Sequence, residues 1–250
     1  IYQNFKLEFQ LLKLIRISSN VNRTPDEYSF IINQFFKINN YDLNKLNGVA
    51  IASVVPEILN NLEIYFINQL KLQIFKVESD KLNIEINIDN PNEAGQDRLI
   101  NAFAIQKMNF DPAIIIDFGT ATTFDVIGKG GAYLGGIIAP GINLSIESLY
   151  HSTSRLPKIS LKSLNDEKNT LLGKNTTSAI EAGVFWGYVC MIEGLINKLK
   201  KYYPNSKVVA TGGLSKIFKN NIKSIDRIEQ NLTIDGLAYY YLSQEKKNEI

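Results

Sequence analysis

The chain has 250 residues, 45% hydrophobic and 21% charged, with a formal net charge of +2. That length fits one large domain or two small ones with an ordinary core, and the scattered basic residues, densest from Lys198 to Lys201, exclude an extended nucleic-acid stripe. The single cysteine, Cys190, excludes an internal disulfide and agrees with a cytosolic setting, and no apolar run is read as long enough for a membrane span.

From the start, Gln3-Asn4 reads as a turn and Lys6 to Ile17 as a strand of mixed alternation. Thr24 to Glu27 is a helix start, with Thr24 as N-cap, Pro25 in the first turn and Glu27 closing a capping box. Tyr28, Ile31, Ile32, Phe35 and Phe36 form one apolar face of that helix. Gly48 to Val55 is a short buried strand ending at Pro56, followed by a helix with Ile58, Leu59, Leu62, Tyr65 and Phe66 facing inward. Leu72 to Val77 and Leu82 to Ile88 read as strands, and a helix is predicted from Asp97 to about Met108.

The second half opens with the apolar strand Ala113 to Asp117. Thr122 to Ile127 and Tyr133 to Ala139 complete a meander, with glycines at the turns. A helix follows Gly141, and a long one runs from Thr176 to Leu199. Lys207 to Ala210 is a strand, then Gly212-Gly213 and a helix, and the chain closes on a helix around Asp235 to Leu242. Each half thus alternates strands and helices, which predicts a duplicated α/β unit, divided into 1–110 and 111–250, with ligands in the cleft between.

Four short segments could carry chemistry. In Asp117 to Thr123 a carboxylate ends a buried strand before a glycine and several hydroxyls; such a turn can hold a phosphate and a cation, or can simply be a hairpin turn. The Asp117-Phe118-Gly119 triplet does not indicate a protein kinase, since no glycine-rich loop, strand lysine or catalytic-loop signature accompanies it. In Gly95 to Arg98, Asp97 can take a proton from a hydroxyl and Arg98 can grip a carboxylate, or Asp97 can merely cap a helix. Thr211 to Gly213 is a strand-to-helix turn that could admit a nucleotide against its backbone, or could carry glycine only because any such turn favours it. At the start of the long helix, Thr176 could reach a ligand or act as its cap. His151, the only histidine, reads as a surface or packing residue, Cys190 as a small core residue, and Trp186 as core or interface. Ala179, Gly183 and Gly187 form a small-residue stripe on which another helix could pack closely.

Taken in order, Asn22 to Tyr28, Ser53 to Pro56, Gly95 to Arg98, Asp117 to Thr120, Gly135 to Gly141, Arg155 to Pro157, Asn175-Thr176, Thr211 to Gly213 and Asp235 to Leu237 resemble the type III pantothenate kinases. These belong to the sugar kinase, heat-shock ATPase and actin superfamily. The resemblance implies an α/β fold of two RNase H-like domains around a central cleft. It implies ATP-dependent phosphorylation of pantothenate to 4'-phosphopantothenate, the first step of coenzyme A synthesis. Asp97 would be the general base, and Gly95, Gln96, Asp97, Arg98 and Thr176 would contact pantothenate. Asp117 would hold a monovalent cation, K+ or NH4+, Thr120 would contact ATP and Gly212 would lie near the adenosine. Mg2+ would bridge the phosphates. The protein would be a cytoplasmic homodimer without nucleic-acid or membrane partners.

Two departures accompany the resemblance. The family opens with a strand, an Asp-x-Gly-Asn-Thr loop and a second strand; this sequence begins at Ile1-Tyr2, about where that second strand ends. The first domain is therefore expected to lack its first strand and the loop that contacts phosphate, and the chain as written to be nearly inactive. Ile88 also stands where the family usually has a tyrosine lining the pantothenate pocket. The alternatives are a non-catalytic relative with a binding or regulatory role, and another small-molecule kinase or a polyphosphate phosphatase; Gly95 to Arg98 argues against the last pair.

Overall fold

A computed structural model describes residues 1–5, 8–153, 156–160 and 171–248. The chain packs as two units, one of Ile1–Ile84, Asn90–Lys107 and Thr233–Ile250, the other of Glu85–Asp89 and Met108–Leu232. The units are thus interleaved in sequence, where the expected halves were contiguous.

In the first unit, β1 (Tyr2–Phe5) and β2 (Glu8–Leu11) pair antiparallel. Gln3 and Asn4, expected in a turn, lie within β1 opposite Gln10 and Phe9. The strand expected through Ile17 stops at Leu11, and Leu14, Ile15 and Ile17 are exposed, so no packing continues it. Helix α1 (Pro25–Ile38) begins as its sequence predicts. The Glu27 N–H donates to Thr24 Oγ1 at 3.3 Å and the Thr24 N–H to Glu27 Oε2 at 2.7 Å, closing the capping box. β3 (Gly48–Ile51), α2 (Pro56–Glu63) and β4 (Gln73–Lys76) form a parallel βαβ unit. α2 runs on through a π turn, Ile64–Gln69, which buries Tyr65 and Phe66 against Ile51. Helix α3 (Gln96–Lys107) buries Leu99 to Ile105. The strands of this unit form two separate pairs, β1–β2 and β3–β4.

The second unit holds a five-stranded sheet. Its strands are β5 (Ala113–Phe118), β6 (Ala121–Ile127), β7 (Tyr133–Pro140), β8 (Lys207–Thr211) and β9 (Arg227–Ile228), in the order β7-β6-β5-β8-β9. β5, β6 and β7 are antiparallel neighbours, whereas β8 runs parallel to β5 and β9 to β8. Central β5 is buried on both faces, which is why it reads as an unbroken apolar run. Helices α4 (Ile142–His151), α5 (Thr176–Tyr202) and α6 (Ser215–Phe218) complete the unit. Phe185, Tyr188, Val189, Ile192 and Ile196 of α5 join Ile116, Phe118 and Phe218 in its core.

The strand expected over Leu82 to Ile88 does not form. Asn83 takes a left-handed conformation (φ 53°), which breaks the run, and only Ile86 bridges to Tyr133. The Tyr133 N–H donates to the Glu85 carbonyl and the Asn87 N–H to the Tyr133 carbonyl, both at 2.8 Å, which ties residues 85–89 to the second unit.

The last helix, α7 (Leu232–Asn248), packs in the first unit from Thr233 onward. A Cβ on Gly236 would stand 2.6 Å from the Ile100 carbonyl oxygen, so the helices meet backbone to backbone there. The Tyr240 hydroxyl donates to the Lys76 carbonyl at 2.6 Å, and the Tyr241 ring meets Phe75 edge-on at 5.1 Å. By length and composition alone α5 would pass for a membrane-crossing helix, with a mean hydropathy of 1.5 over an 18-residue window. Glu181 and Glu193 interrupt its apolar run, however, and Phe185, Tyr188, Val189, Ile192 and Ile196 are packed in the core of the second unit, as the core helix of a globular unit is.

Candidate active site

β5 delivers Asp117, half-buried, and then the exposed Gly119 and Thr120, which form the turn into β6. The Gly119 N–H donates to the Ala121 carbonyl at 3.1 Å and tightens the turn. The next turn packs on this one directly. A Cβ on Gly141 would stand 2.2 Å from the Thr120 carbonyl oxygen and 2.8 Å from that of Gly119, so only glycine fits between β7 and α4. This brings the N-terminus of α4, with its outward N–H groups, beside Thr120. Phe118, Gly119, Thr120, Asn143, Glu147 and Leu214 line a shallow cavity of about 390 Å³ there. Helix N–H groups beside a threonine hydroxyl suit a phosphate.

β8 brings Thr211 opposite Asp117 in parallel register. Gly212 follows with φ +88°. A Cβ on it would stand 2.5 Å from Asp117 Oδ1 and 2.7 Å from the Phe118 carbonyl oxygen. Sequence reading gave this glycine to a nucleotide; packing against Asp117 and Phe118 already requires it. The Gly212 carbonyl accepts from Ser215 Oγ at 2.8 Å, which fixes the entry to α6. Asp117, Thr120 and Gly212 therefore belong to one corner of the second unit.

Beneath that corner, Thr122 Oγ1 and the Tyr188 hydroxyl share a buried hydrogen bond of 2.5 Å. Burial pushes the Tyr188 hydroxyl above the usual tyrosine range; its bond to Thr122 opposes this and the Asp117 charge adds to it. Asp125 is fully buried, accepting from Tyr133 Oη at 3.0 Å and Thr123 Oγ1 at 3.1 Å. Sequence reading counted Thr122 among the hydroxyls of Asp117 to Thr123 and Tyr188 among the apolar face of the long helix, but did not pair them, and it gave Asp125 no role. The only available signal was a carboxylate at position 125 inside an apolar strand.

Thr176 is exposed at the first position of α5, and the cap is its neighbour. Asn175 Oδ1 accepts from the Ser178 N–H at 2.9 Å, and Ser178 Oγ accepts from the Asn175 N–H at 3.1 Å. Capping thus leaves the Thr176 hydroxyl out of the structural account of this helix start. Gly173 lies where a Cβ would stand 2.2 Å from the Ala179 nitrogen, so this loop also depends on glycine.

In the first unit, the Gly95 carbonyl accepts from the N–H groups of Arg98 and Leu99, both at 3.0 Å, and opens α3. Asp97 is exposed, and its Oδ1 accepts from the Arg98 N–H at 2.9 Å. It therefore satisfies a helix-start donor while presenting its carboxylate to solvent. A Cβ on Gly95 would stand 2.6 Å from Asp97 Oδ1, so the glycine gives that carboxylate its room. Gln96 Oε1 accepts from the Ser53 N–H at 3.4 Å and links the Ser53–Pro56 and Gly95–Arg98 segments.

Ile88 packs near Gly135, 3.5 Å from where a Cβ would be. His151 is exposed and meets the Tyr150 ring at 5.2 Å. Cys190 is exposed rather than in the core, because it falls on the face of α5 that carries Gly183 and Gly187. Trp186 Nε1 is buried with no hydrogen-bond partner among the described residues. Arg155 lies outside the described residues.

The sequence model of the type III pantothenate kinase family matches residues 4–198. A type III pantothenate kinase from Rhizorhabdus wittichii is 40% identical over 234 residues, 90% of this chain and 87% of that protein. Among solved structures, a Campylobacter jejuni protein described as a Baf family transcriptional activator aligns with a TM-score of 0.56 at 20% identity, covering 86% of this chain and 89% of that one. The Clostridium difficile activator of 2-hydroxyisocaproyl-CoA dehydratase, with bound ADPNP, aligns with a TM-score of 0.50 at 13% identity, covering 94% and 87%. These two likenesses concern the fold alone.

Proposed function

We infer the working parts of one reaction from a premise the comparisons settle: the chain belongs to the type III pantothenate kinase family and phosphorylates pantothenate with ATP for coenzyme A synthesis. Asp97 is assigned as the general base. As the primary hydroxyl of pantothenate attacks the γ-phosphorus of ATP, its proton passes to the Asp97 carboxylate, and the bond to the β-phosphate oxygen breaks to leave ADP. Such transfers need mainly positioning and charge neutralisation. Gly95, Gln96, Arg98 and Thr176 are assigned to pantothenate, with Arg98 suited to the pantothenate carboxylate. Thr120 is assigned to the ATP phosphates beside the start of α4, and Gly212 to the adenosine side.

Asp117 fits a monovalent cation, K+ or NH4+. It is a single half-buried carboxylate beside the Phe118 carbonyl, enough charge for a weakly held ion. Among the described residues no group of three His, Cys, Asp or Glu side chains could cage a metal. Mg2+ would accordingly come with the ATP phosphates, whose charge it neutralises.

The finer architecture is part of the same reading. Both units are taken as RNase H-like halves of an actin-type ATPase, corresponding to 1–110 and 111–250 apart from the exchange of 85–89 and the C-terminal helix. The exposed stripe of Ala179, Gly183 and Gly187 is assigned to a second copy of the chain in a cytoplasmic homodimer, rather than to lipid or nucleic acid. Open space over Gly183 and Gly187 supports that choice.

The observation that carries the functional reading is the match over residues 4–198, which contains Gly95 to Arg98 intact. Competition among acceptors tests it: an enzyme carrying the family's Asp-x-Gly-Asn-Thr loop ahead of Ile1 is offered pantothenate, N-acetylmannosamine and polyphosphate with ATP, Mg2+ and K+. Phosphate transfer to pantothenate alone is expected; preference for the sugar would overturn the substrate assignment.

A further inference from the structure

Asp125 is a fully buried carboxylate to which the reaction described above gives no part. A charged group so placed is costly unless donors match its oxygens. Two hydroxyls supply them: Tyr133 Oη donates to Asp125 Oδ1 at 3.0 Å and Thr123 Oγ1 donates to Oδ2 at 3.1 Å. Thr123 and Asp125 are two residues apart on β6 and share a face of the sheet, while Thr122 between them turns the opposite way, to Tyr188 of α5. The strand register sets Thr123 directly across from Asp117 of β5. Residues opposed in this way lie on one face, with Cβ atoms about 4.5–5.5 Å apart. Asp125, Thr123 and Asp117 therefore follow one another from the core of the second unit to its corner.

The first of these groups decides what the second can do. A threonine hydroxyl has one proton and two lone pairs. The Thr123 proton lies in the bond to Asp125, so toward Asp117 this hydroxyl has only lone pairs to offer. A hydroxyl free to turn would instead donate to the Asp117 carboxylate and offset the charge that attracts a cation. An oxygen restricted to accepting suits a cation, and a carboxylate that orients a ligand from behind strengthens such a site. We propose that Thr123 Oγ1 is a ligand of the monovalent cation at Asp117, and that Asp125 is the positioning residue that holds it in the accepting orientation. The proposal rests on the assignment of Asp117 to the cation and adds to it a second oxygen and the group that supports it.

The test uses an enzyme carrying the family's Asp-x-Gly-Asn-Thr loop ahead of Ile1. Two quantities are read: the K+ concentration at half-maximal pantothenate phosphorylation, and the rise in thermal midpoint, without substrates, when KCl replaces choline chloride at equal ionic strength. Thr123→Val keeps the shape of threonine without the hydroxyl. Its half-maximal K+ is expected to rise roughly tenfold or more, and its K+-dependent rise in midpoint to disappear. Thr123→Ser keeps the hydroxyl and should retain both values. Asp125→Asn should follow Thr123→Val; if it does not fold, the Thr123 pair carries the test. Tyr133→Phe removes the other donor to Asp125 and leaves the Thr123 bond, so it should lower the midpoint in choline with the K+ response intact. An unchanged K+ response in Thr123→Val or in folded Asp125→Asn, a response lost equally in Thr123→Ser, or one lost equally in Tyr133→Phe would overturn the proposal. Asp117→Asn separates it from the reading beneath it. If Asp117→Asn weakens the K+ response and Thr123→Val does not, the cation stays with Asp117 and the proposal alone fails. If the unmodified enzyme shows no K+ response, both fail.

Discussion

Asp117 Oδ1 occupies the space a side chain on Gly212 would need: a Cβ there would stand 2.5 Å from it. The ends of β5 and β8 therefore close on each other through a carboxylate and a bare backbone. Gly212→Ala must move Asp117 and must also hold alanine at φ +88°. A cost of about 1–3 kcal/mol is expected. Because the displaced group is the proposed cation ligand, dependence of the rate on K+ concentration should shift to higher K+ together with the loss of thermal stability. A stable Gly212→Ala protein with unchanged K+ dependence would separate Asp117 from the cation.

Gly183 contrasts with Gly212, since nothing lies within 4 Å of a Cβ built on it. Gly183→Arg should fold normally, because the side chain enters open space in the single chain. In the proposed homodimer the same arginine falls at the centre of the helix contact. Sedimentation is expected to show a dimer for the natural chain and a monomer for Gly183→Arg at micromolar concentration. A natural chain that is monomeric under those conditions contradicts the assignment.

Alkaline pH provides a separate check on packing. The Tyr241 hydroxyl, which donates to Glu245 Oε1 at 2.6 Å, is raised well above the usual tyrosine range, first by burial and then by that carboxylate. Tyr188 is raised by burial as well. An unfolded tyrosine ionises near pH ~10. The folded groups keep their protons above that, so their stabilisation is complete below about pH 10 and is lost as pH rises beyond it. The urea midpoint should fall between pH 9 and 11, and Tyr241→Phe should fall less. Identical pH profiles for the two proteins would remove Tyr241 from the account.

The sequence made regular elements legible wherever local signals agreed with packing. The capping box at Thr24, the β5–β6–β7 meander and α5 all appear, because periodicity, turn glycines and caps point the same way there. It failed where one residue overrode a run. Asn83 turned an apolar stretch out of strand geometry, and β9 is two residues long with no apolar run to reveal it. The chemistry of the corner was half visible. Asp117, Thr120 and Gly212 stand out as residue types, but that Gly141 and Gly212 are required by the backbone and carboxylate they touch is a fact of tertiary contact. Cys190 was misplaced because helix periodicity does not say which face a neighbour covers.

The most direct test of the central claim is 4'-phosphopantothenate formation by Asp97→Asn, in an enzyme carrying the family's Asp-x-Gly-Asn-Thr loop ahead of Ile1. Asparagine keeps the Oδ1 that accepts from the Arg98 N–H, so the helix start survives while the base is lost. ATP binding should be unchanged, and turnover should drop by ~10²–10⁴. Turnover within a factor of two of the unmodified enzyme would show that Asp97 serves only to start α3, and would contradict the mechanism.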